Sequence, residues 1–198
     1  MPPIYILRHG QTVWNLEGRM QGSRDSSLTD LGRAQAARQG AILGRIGLPE
    51  GTAFRVSPLG RTQETARHAL AGLTEGFATD DRLRELSVGQ CEGLTHPEIE
   101  DRFPGLIDPG QPFEWYFQCP GRESMASMRA RVAELLGEVS GPTVLVTHGI
   151  TSRFLRAALL DADWRDLGAP DGGQGVVYEL RGGQQIRHAE DYSISGLR

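Results

Sequence analysis

Lysine is absent from this 198-residue chain: all 21 of its basic residues are arginine. Compositional bias is a sufficient cause, and the chemical consequence holds either way. Schiff-base chemistry, a P-loop lysine and the kinase strand lysine are excluded. Any fixed cation that grips an anion is an arginine, or a protonated histidine. Arginine suits phosphate because its planar fork donates bidentately and keeps its charge.

Cysteine is scarce too. Cys91 and Cys119 form no CxxC pair, and in a chain this long they read as reduced thiols of the cytosol, with a disulfide between them left open. No stretch approaches the ~20 apolar residues of a membrane span. The N-terminus has no basic leader, and its apolar run is too short for a signal peptide. A cytoplasmic protein with no membrane partner is expected. The net charge is -4 with no clustered basic stripe, so no nucleic-acid partner is expected. The five histidines form no compact ligand set such as HExxH, and neither metal nor cofactor is expected. There is no internal repeat, low-complexity segment or interdomain linker.

The chain has 38% hydrophobic and 23% charged residues, ordinary values for one globular domain spanning 1–198. Short apolar runs read as strands at Ile4–Leu7, Ala53–Val56, Phe77–Thr79 and Thr143–Thr147. Gly175–Leu180 and Gln185–His188 read as a closing hairpin around Gly182-Gly183. Between them lie helical patterns. Thr29 or Asp30 caps the first, with Ala34, Ala37, Ala41, Ile42 and Ile46 on its apolar face, and Gly47 and Pro49 end it. Others run from Ser57-Pro58 to about Leu70, Ser124 to Val139 and Ile150 to Leu160. The polar stretch after Leu7, through Ser27, reads as loop. This alternation predicts an α/β fold: three layers, α/β/α, with a mostly parallel central sheet. Residues 92–126 differ. They are rich in proline and hold the aromatic cluster Phe113-Glu114-Trp115-Tyr116-Phe117, with a short helix at His96–Phe103. They read as an insertion standing over one end of the sheet.

Ligands of such sheets bind beyond the carboxyl ends of strands, and there the notable residues lie. Arg8-His9-Gly10 follows the first strand and His148-Gly149 follows another. A lone histidine after a strand is usually structural. Here Arg8 precedes His9, Gly10 frees the backbone to turn, and Asn15 and Arg19 lie on the following loop, a pattern suited to anion capture. Arg61 falls in the first turn of a helix, where a cation is unfavourable unless an anion offsets it. Alone it reads as an exposed surface arginine. Glu85 lies between Leu83 and Leu86. Alone it reads as a solvated carboxylate paired with Arg82 or Arg84.

Taken together, these segments resemble the histidine phosphatase superfamily, the phosphoglycerate-mutase-like enzymes, over nearly the whole chain. The Arg-His-Gly-x-Thr-x-x-Asn start is Arg8 to Asn15. Ser57-Pro58-Leu59-x-Arg61-x-x-x-Thr65-Ala66 fits the second motif, Arg84-Glu85-Leu86 with Glu92-Gly93 the third, and Thr147-His148-Gly149 the fourth. Arg122-Glu123-Ser124 resembles a Gly-Glu-Ser element, with Arg122 where the family often has Gly. Cys91 stands where an aromatic is common, and Ser27 where Pro is common.

The resemblance implies that His9 attacks phosphorus and forms a phosphohistidine, its other ring nitrogen held by a backbone carbonyl. Arg8 and Arg61 would keep His9 neutral by like-charge repulsion and clamp the phosphoryl oxygens. Asn15 and Gly149 would join Arg8, Arg61 and His148 in binding phosphate, His148 as a further charge-assisted donor if protonated. Glu85 would protonate the leaving oxygen and then deprotonate the attacking water. The implied activity is metal-independent hydrolysis of a small phosphorylated metabolite, and the resemblance implies a homodimer, as family members often are. The alternatives are a cofactor-dependent phosphoglycerate mutase and a non-catalytic phosphate-binding protein. Family mutases carry a Gly-Leu-Asn-Lys element where this chain has Gly93-Leu94-Thr95-His96. Between Gly93 and Gly121 the acidic residues Glu98, Glu100, Asp101, Asp108 and Glu114 outnumber the basic ones. That favours a phosphatase with a neutral, apolar or aromatic leaving group.

Overall fold

Side chains alternate across the first strand, β1 (Ile4–Arg8), and this alternation divides the core in two. Ile4 and Ile6 enter one apolar cluster, and Tyr5 and Leu7 enter the other, on the opposite face of the sheet. The computed structural model describes residues 1–111, 113–167 and 173–189. The terminal stretch Tyr192 to Arg198, expected to lie at an interface or cap the core, falls outside them.

Strands β2 (Ala53–Val56), β3 (Ala78–Thr79), β4 (Thr143–Thr147), β5 (Val177–Arg181) and β6 (Gln184–His188) complete a sheet of order β3-β2-β4-β1-β5-β6. The first four in that order are parallel, and β5 and β6 join antiparallel. Gly182 and Gly183, at φ 59° and 74°, make the turn of the closing hairpin, a two-residue loop that needs two positive φ values.

Helices α2 (Asp30–Ile46) and α3 (Gly60–Ala69) cover the Tyr5/Leu7 face, packing Ile42, Leu43, Ala66 and Ala69 there. Helices α5 (Met125–Gly137) and α6 (Gly149–Leu160) cover the other, with Met128, Val132, Leu135, Phe154 and Leu155. Each fully buried Ile, Leu, Val, Met or Phe side chain contributes ~1.5–3 kcal/mol. The chain is therefore the expected three-layer α/β fold. The stretch expected as loop holds one further helix, α1 (Val13–Leu16), because Thr12 and Asn15 cap each other's backbone N–H reciprocally. It is too short to carry an apolar period.

The inserted region folds back through α4 (His96–Arg102) and a 3-10 turn, Glu114–Phe117. Trp115 is 1% exposed and stacks on Tyr116 at 4.3 Å. Phe113 and Phe117 pack on Trp164. The insertion ends against its own start, where Gln90 N–H donates to the Pro120 carbonyl. That return corrects one expectation: Cys91 and Cys119 are not free thiols but a disulfide, with Cα atoms 6.4 Å apart. Spacing in the chain carries no sign of this apposition. Among the described residues no helix is long and apolar enough to cross a membrane.

Candidate active site

The register of β1 against β4 sets Arg8 opposite Thr147. The residues that follow, His9 and His148, therefore leave the sheet side by side, with ring centroids 5.2 Å apart. His9 N–H extends the pairing to the Thr147 carbonyl at 2.9 Å, and Ser57, after β2, does the same to Val146 at 3.0 Å. Three strand ends thus converge. Gly10 is required by contact and not by a left-handed turn: a Cβ there would lie 2.1 Å from the Gly32 carbonyl oxygen of α2, and one on Gly32 would lie 2.0 Å from that of Gln11.

Each imidazole is locked in one tautomer. His9 Nδ1 lies 2.8 Å from the Gly10 carbonyl, which only accepts, so Nδ1 carries the proton and Nε2 keeps its lone pair. Burial first, then the Arg61 and Arg8 guanidiniums, hold His9 well below the usual imidazole range. His148 Nδ1 accepts from Arg61 Nε at 3.2 Å, so Nε2–H donates to Ser57 Oγ at 2.7 Å. Burial, Arg61, His9 and Arg8 push His148 down as well. The charge-assisted donor expected of a protonated His148 is therefore not what this geometry provides. Both of its ring nitrogens are occupied, and its visible effect is to hold Arg61.

Arg61 is 1% exposed, not a surface residue. Its buried face on α3 is shared with Thr62, Thr65, Ala66 and Ala69. Nη1 donates to the Arg24 carbonyl (2.6 Å) and to Asp25 (3.1 Å), Nη2 to the Gly22 carbonyl (2.9 Å), and Nε to His148. A guanidinium has five N–H donors, so one, on Nη2, is left for a ligand. The loop that supplies these acceptors is fixed by Glu92, whose carboxylate accepts from Ser23 N–H, Ser23 Oγ and Ser87 Oγ.

Glu85 pairs with neither Arg82 nor Arg84. Its oxygens accept the Ile150 and Thr151 N–H groups at 3.1 and 3.0 Å, together with Leu86 N–H and Thr151 Oγ1. The carboxylate thus caps α6, where free N–H groups and the helix dipole favour negative charge. Arg84 instead faces Asp81, and Arg82 faces Asp80, Glu134 and Glu138.

Arg8, His9, Asn15, Arg61, Glu85 and Gly149 line one cavity of about 170 Å³, and His148 lies directly behind Arg61. Gly149 sits against the Arg8 guanidinium. Asn15 Oδ1 accepts from Thr12 N–H and Gln174 Nε2, which leaves its Nδ2 hydrogens as donors. Among the described residues no cluster of His, Cys, Asp or Glu could hold a metal ion.

The motifs did not single out every residue of the site. Asp25 and Thr151 lie outside the cavity lining and anchor Arg61 and Glu85. Arg153 and Arg156 line the cavity with Tyr116 and Tyr178. Arg153 lies one helical turn after Gly149 on the same face of α6, a spacing that could have marked it. The acidity of the insertion does not reach the cavity. Glu98 pairs with Arg19, Glu114 with Arg165, and Glu100 and Asp108 accept backbone N–H groups within the insertion. The expectation of a neutral, apolar or aromatic leaving group rested on an acidic, aromatic lid, and the carboxylates of that lid do not line the cavity, whereas Arg153 and Arg156 do. Three of the four aromatic rings pack internally, and only Tyr116 lines the cavity.

Comparison with known proteins follows the same geometry. The family model described as the histidine phosphatase superfamily (branch 1) matches residues 4–192. An acid phosphatase of Mycobacterium tuberculosis is 39% identical over 76% of this chain and 71% of its own. A glucosyl-3-phosphoglycerate phosphatase of the same organism is 36% identical over 83% and 79%. A probable phosphoglycerate mutase, GpmB, of an Enterobacter species is 34% identical over 81% and 75%. The solved structure of Bacillus stearothermophilus YhfR superposes with a TM-score of 0.79 at 31% identity, covering 96% of both chains.

Proposed function

This chain belongs to the histidine phosphatase superfamily, branch 1, and we propose that its cavity hydrolyses the phosphomonoester of a small metabolite through a phosphohistidine on His9. The observation that carries the reading is the His9 ring: Nδ1 tied to Gly10, Nε2 left with its lone pair, and Arg8, Arg61 and Glu85 lining the same cavity.

Nε2 attacks phosphorus, and the bond from phosphorus to the leaving oxygen breaks. Glu85, a carboxylate at the α6 N-terminus, takes up a proton as the phosphate dianion binds beside it and passes that proton to the leaving oxygen, so the alcohol leaves neutral. Water then gives its proton to Glu85 and its oxygen to phosphorus, the P–N bond breaks, and His9 is neutral again. Arg8, the remaining Nη2 hydrogen of Arg61 and the Asn15 amide meet the phosphoryl oxygens, where charge accumulates in transfer. Gly149 keeps the Arg8 guanidinium uncrowded. His148 acts as a positioning residue for Arg61.

The test is phosphate release from para-nitrophenyl phosphate, with chelator present, from pH 5 to 8. Wild type releases phosphate, and His9→Ala loses ~10³-fold or more, as removal of a covalent nucleophile does. The mutase reading has the GpmB-like relative behind it. Isomerisation of 3-phosphoglycerate with 2,3-bisphosphoglycerate at a rate well above hydrolysis would establish it instead. We place the enzyme in the cytoplasm, where phosphorylated metabolites are made and used. Thiol labelling in intact cells reads whether the Cys91–Cys119 bond stands against that reducing pool. The reading includes a homodimer, checked by light scattering.

A further inference from the structure

The backbone around His9 is held from three elements. His9 N–H donates to the Thr147 carbonyl of β4 at 2.9 Å, Gly10 N–H to Thr65 Oγ1 of α3 at 3.1 Å, and Gln11 N–H to Gln35 Oε1 of α2 at 2.8 Å. One helical turn beyond Gln35, on the same face of α2, Gln39 Nε2 donates to the Arg8 carbonyl at 2.9 Å. The peptide between Arg8 and His9 is thus held at both ends, its oxygen by Gln39 and its N–H by β4.

Gln39 is 0% exposed, and its second Nε2 hydrogen goes to the Val176 carbonyl at 3.0 Å. Strands β1 and β5 pair in register as far as Leu7 and Val177. One residue past that pair, this single side chain bridges the two carbonyls. Oε1 of the same amide is buried without a partner among the described residues, which is costly. The polar contribution of Gln39 therefore lies in its two donors. An aliphatic side chain would fill the same space and leave both carbonyls without them.

We infer that Gln39 is a positioning residue for the nucleophile, fixing the Arg8–His9 peptide so that the His9 imidazole faces the cavity. The inference rests on His9 being the nucleophile of the proposed reaction. The strand ladder sets the Arg8 Cα, whereas rotation of the peptide after it swings His9. Loss of Gln39 therefore weakens the attack on phosphorus and leaves phosphate binding nearly intact.

Gln39→Met keeps the length of the side chain and removes both donors. Under conditions where the variant is folded by circular dichroism, kcat for para-nitrophenyl phosphate falls about tenfold or more, while KM changes less than about threefold. Val132→Ala, in α5 on the other face of the sheet, lowers stability without that effect. An unchanged kcat in Gln39→Met, or a fall no larger than in Val132→Ala, overturns the inference. Gln39→Glu gives a rescue by pH. Its neutral carboxyl donates to one carbonyl and its carboxylate to none, and burial raises its ionisation above the usual carboxylate range. Its activity relative to wild type is therefore highest in acid and falls between pH 5 and 9. A ratio independent of pH overturns the inference, and this variant decides if Gln39→Met does not fold. Absence of turnover in wild type would sink the phosphatase reading alone. The ring is then read directly, by the imidazole 15N resonances of His9, assigned by their loss in His9→Ala. They move in the Gln39 variant and not in Val132→Ala, and unmoved resonances refute the positioning role.

Discussion

Ser57 occupies a motif position whose purpose becomes visible only across a long stretch of chain. Its hydroxyl accepts the Nε2–H of His148 at 2.7 Å, wholly buried, and this fixes the tautomer that receives Arg61. Ser57→Ala leaves a buried ring N–H without an acceptor, so urea unfolding should show a loss of about 1–3 kcal/mol. Activity should fall with it, while Ser57→Thr retains the acceptor and part of the activity. Asp25 acts from the other side of the same guanidinium. Asp25→Ala should raise KM for phosphate esters about tenfold, with a smaller change in kcat, because Arg61 loses an anchor rather than its charge. The types of His9, Arg61, Glu85 and His148 were readable as a set, since their motifs stand at strand ends and a helix start. Their partners were not. A serine or aspartate reads the same in sequence whether or not an imidazole or guanidinium folds against it.

Elements meet here at closer range than their patterns foretell. The turn after β1 crosses the start of α2 backbone against backbone, with Gly10 and Gly32 giving each other room. Gly32→Ala should cost about 1–3 kcal/mol by overpacking, read as a lower melting temperature, and should disturb His9 through the shifted turn. The ends of α2 followed their signals, Thr29 capping it by accepting from Gly32 N–H and Gly47 ending it in the left-handed region, but its face did not: Ala34, Ala37 and Ala41 are exposed, and Gly32, Ala36, Gln39, Ile42 and Leu43 are buried. The start of α3 was placed too early. Ser57-Pro58 lies before the helix, and Leu59 is its cap without any side-chain bond. Glu92 joins two segments that sequence reading treated separately, the third motif and the loop around Ser23. Glu92→Gln would keep the size and remove the charge that accepts four contacts. It should lower kcat/KM about tenfold with the fold intact by circular dichroism, a sign that the carbonyls around Arg61 have moved.

At the scale of the whole molecule, two buried neutral histidines make stability depend on pH. Both His9 and His148 have folded values well below 6.5. Above pH ~6.5 neither folded nor unfolded chain is protonated at these sites, and stability is full. Below it the unfolded chain takes up protons that the folded chain refuses, so stability falls as pH falls toward the folded values. The slope is ~1.4 kcal/mol per pH unit for each histidine. Melting curves between pH 8 and 5 should show it, and His148→Gln should flatten it. The Cys91–Cys119 link closes a loop of sequence separation 28, and Cys119→Ser should cost ~3–4 kcal/mol by chain entropy, measured by urea unfolding. Layering and parallel strands followed from the alternation of elements. Strand order did not, because nothing local tells β1 that its neighbours are β4 and β5. That order has a consequence in time. A chain emerging from a ribosome exposes β1 and the nucleophile after it well before β4 and β5, the two strands that flank β1 in the sheet. Nascent chains should therefore be catalytically silent, and turnover after dilution from denaturant should lag behind helix formation. The enzyme's own product would then serve as a clock for the slow, long-range closure at the middle of its sheet.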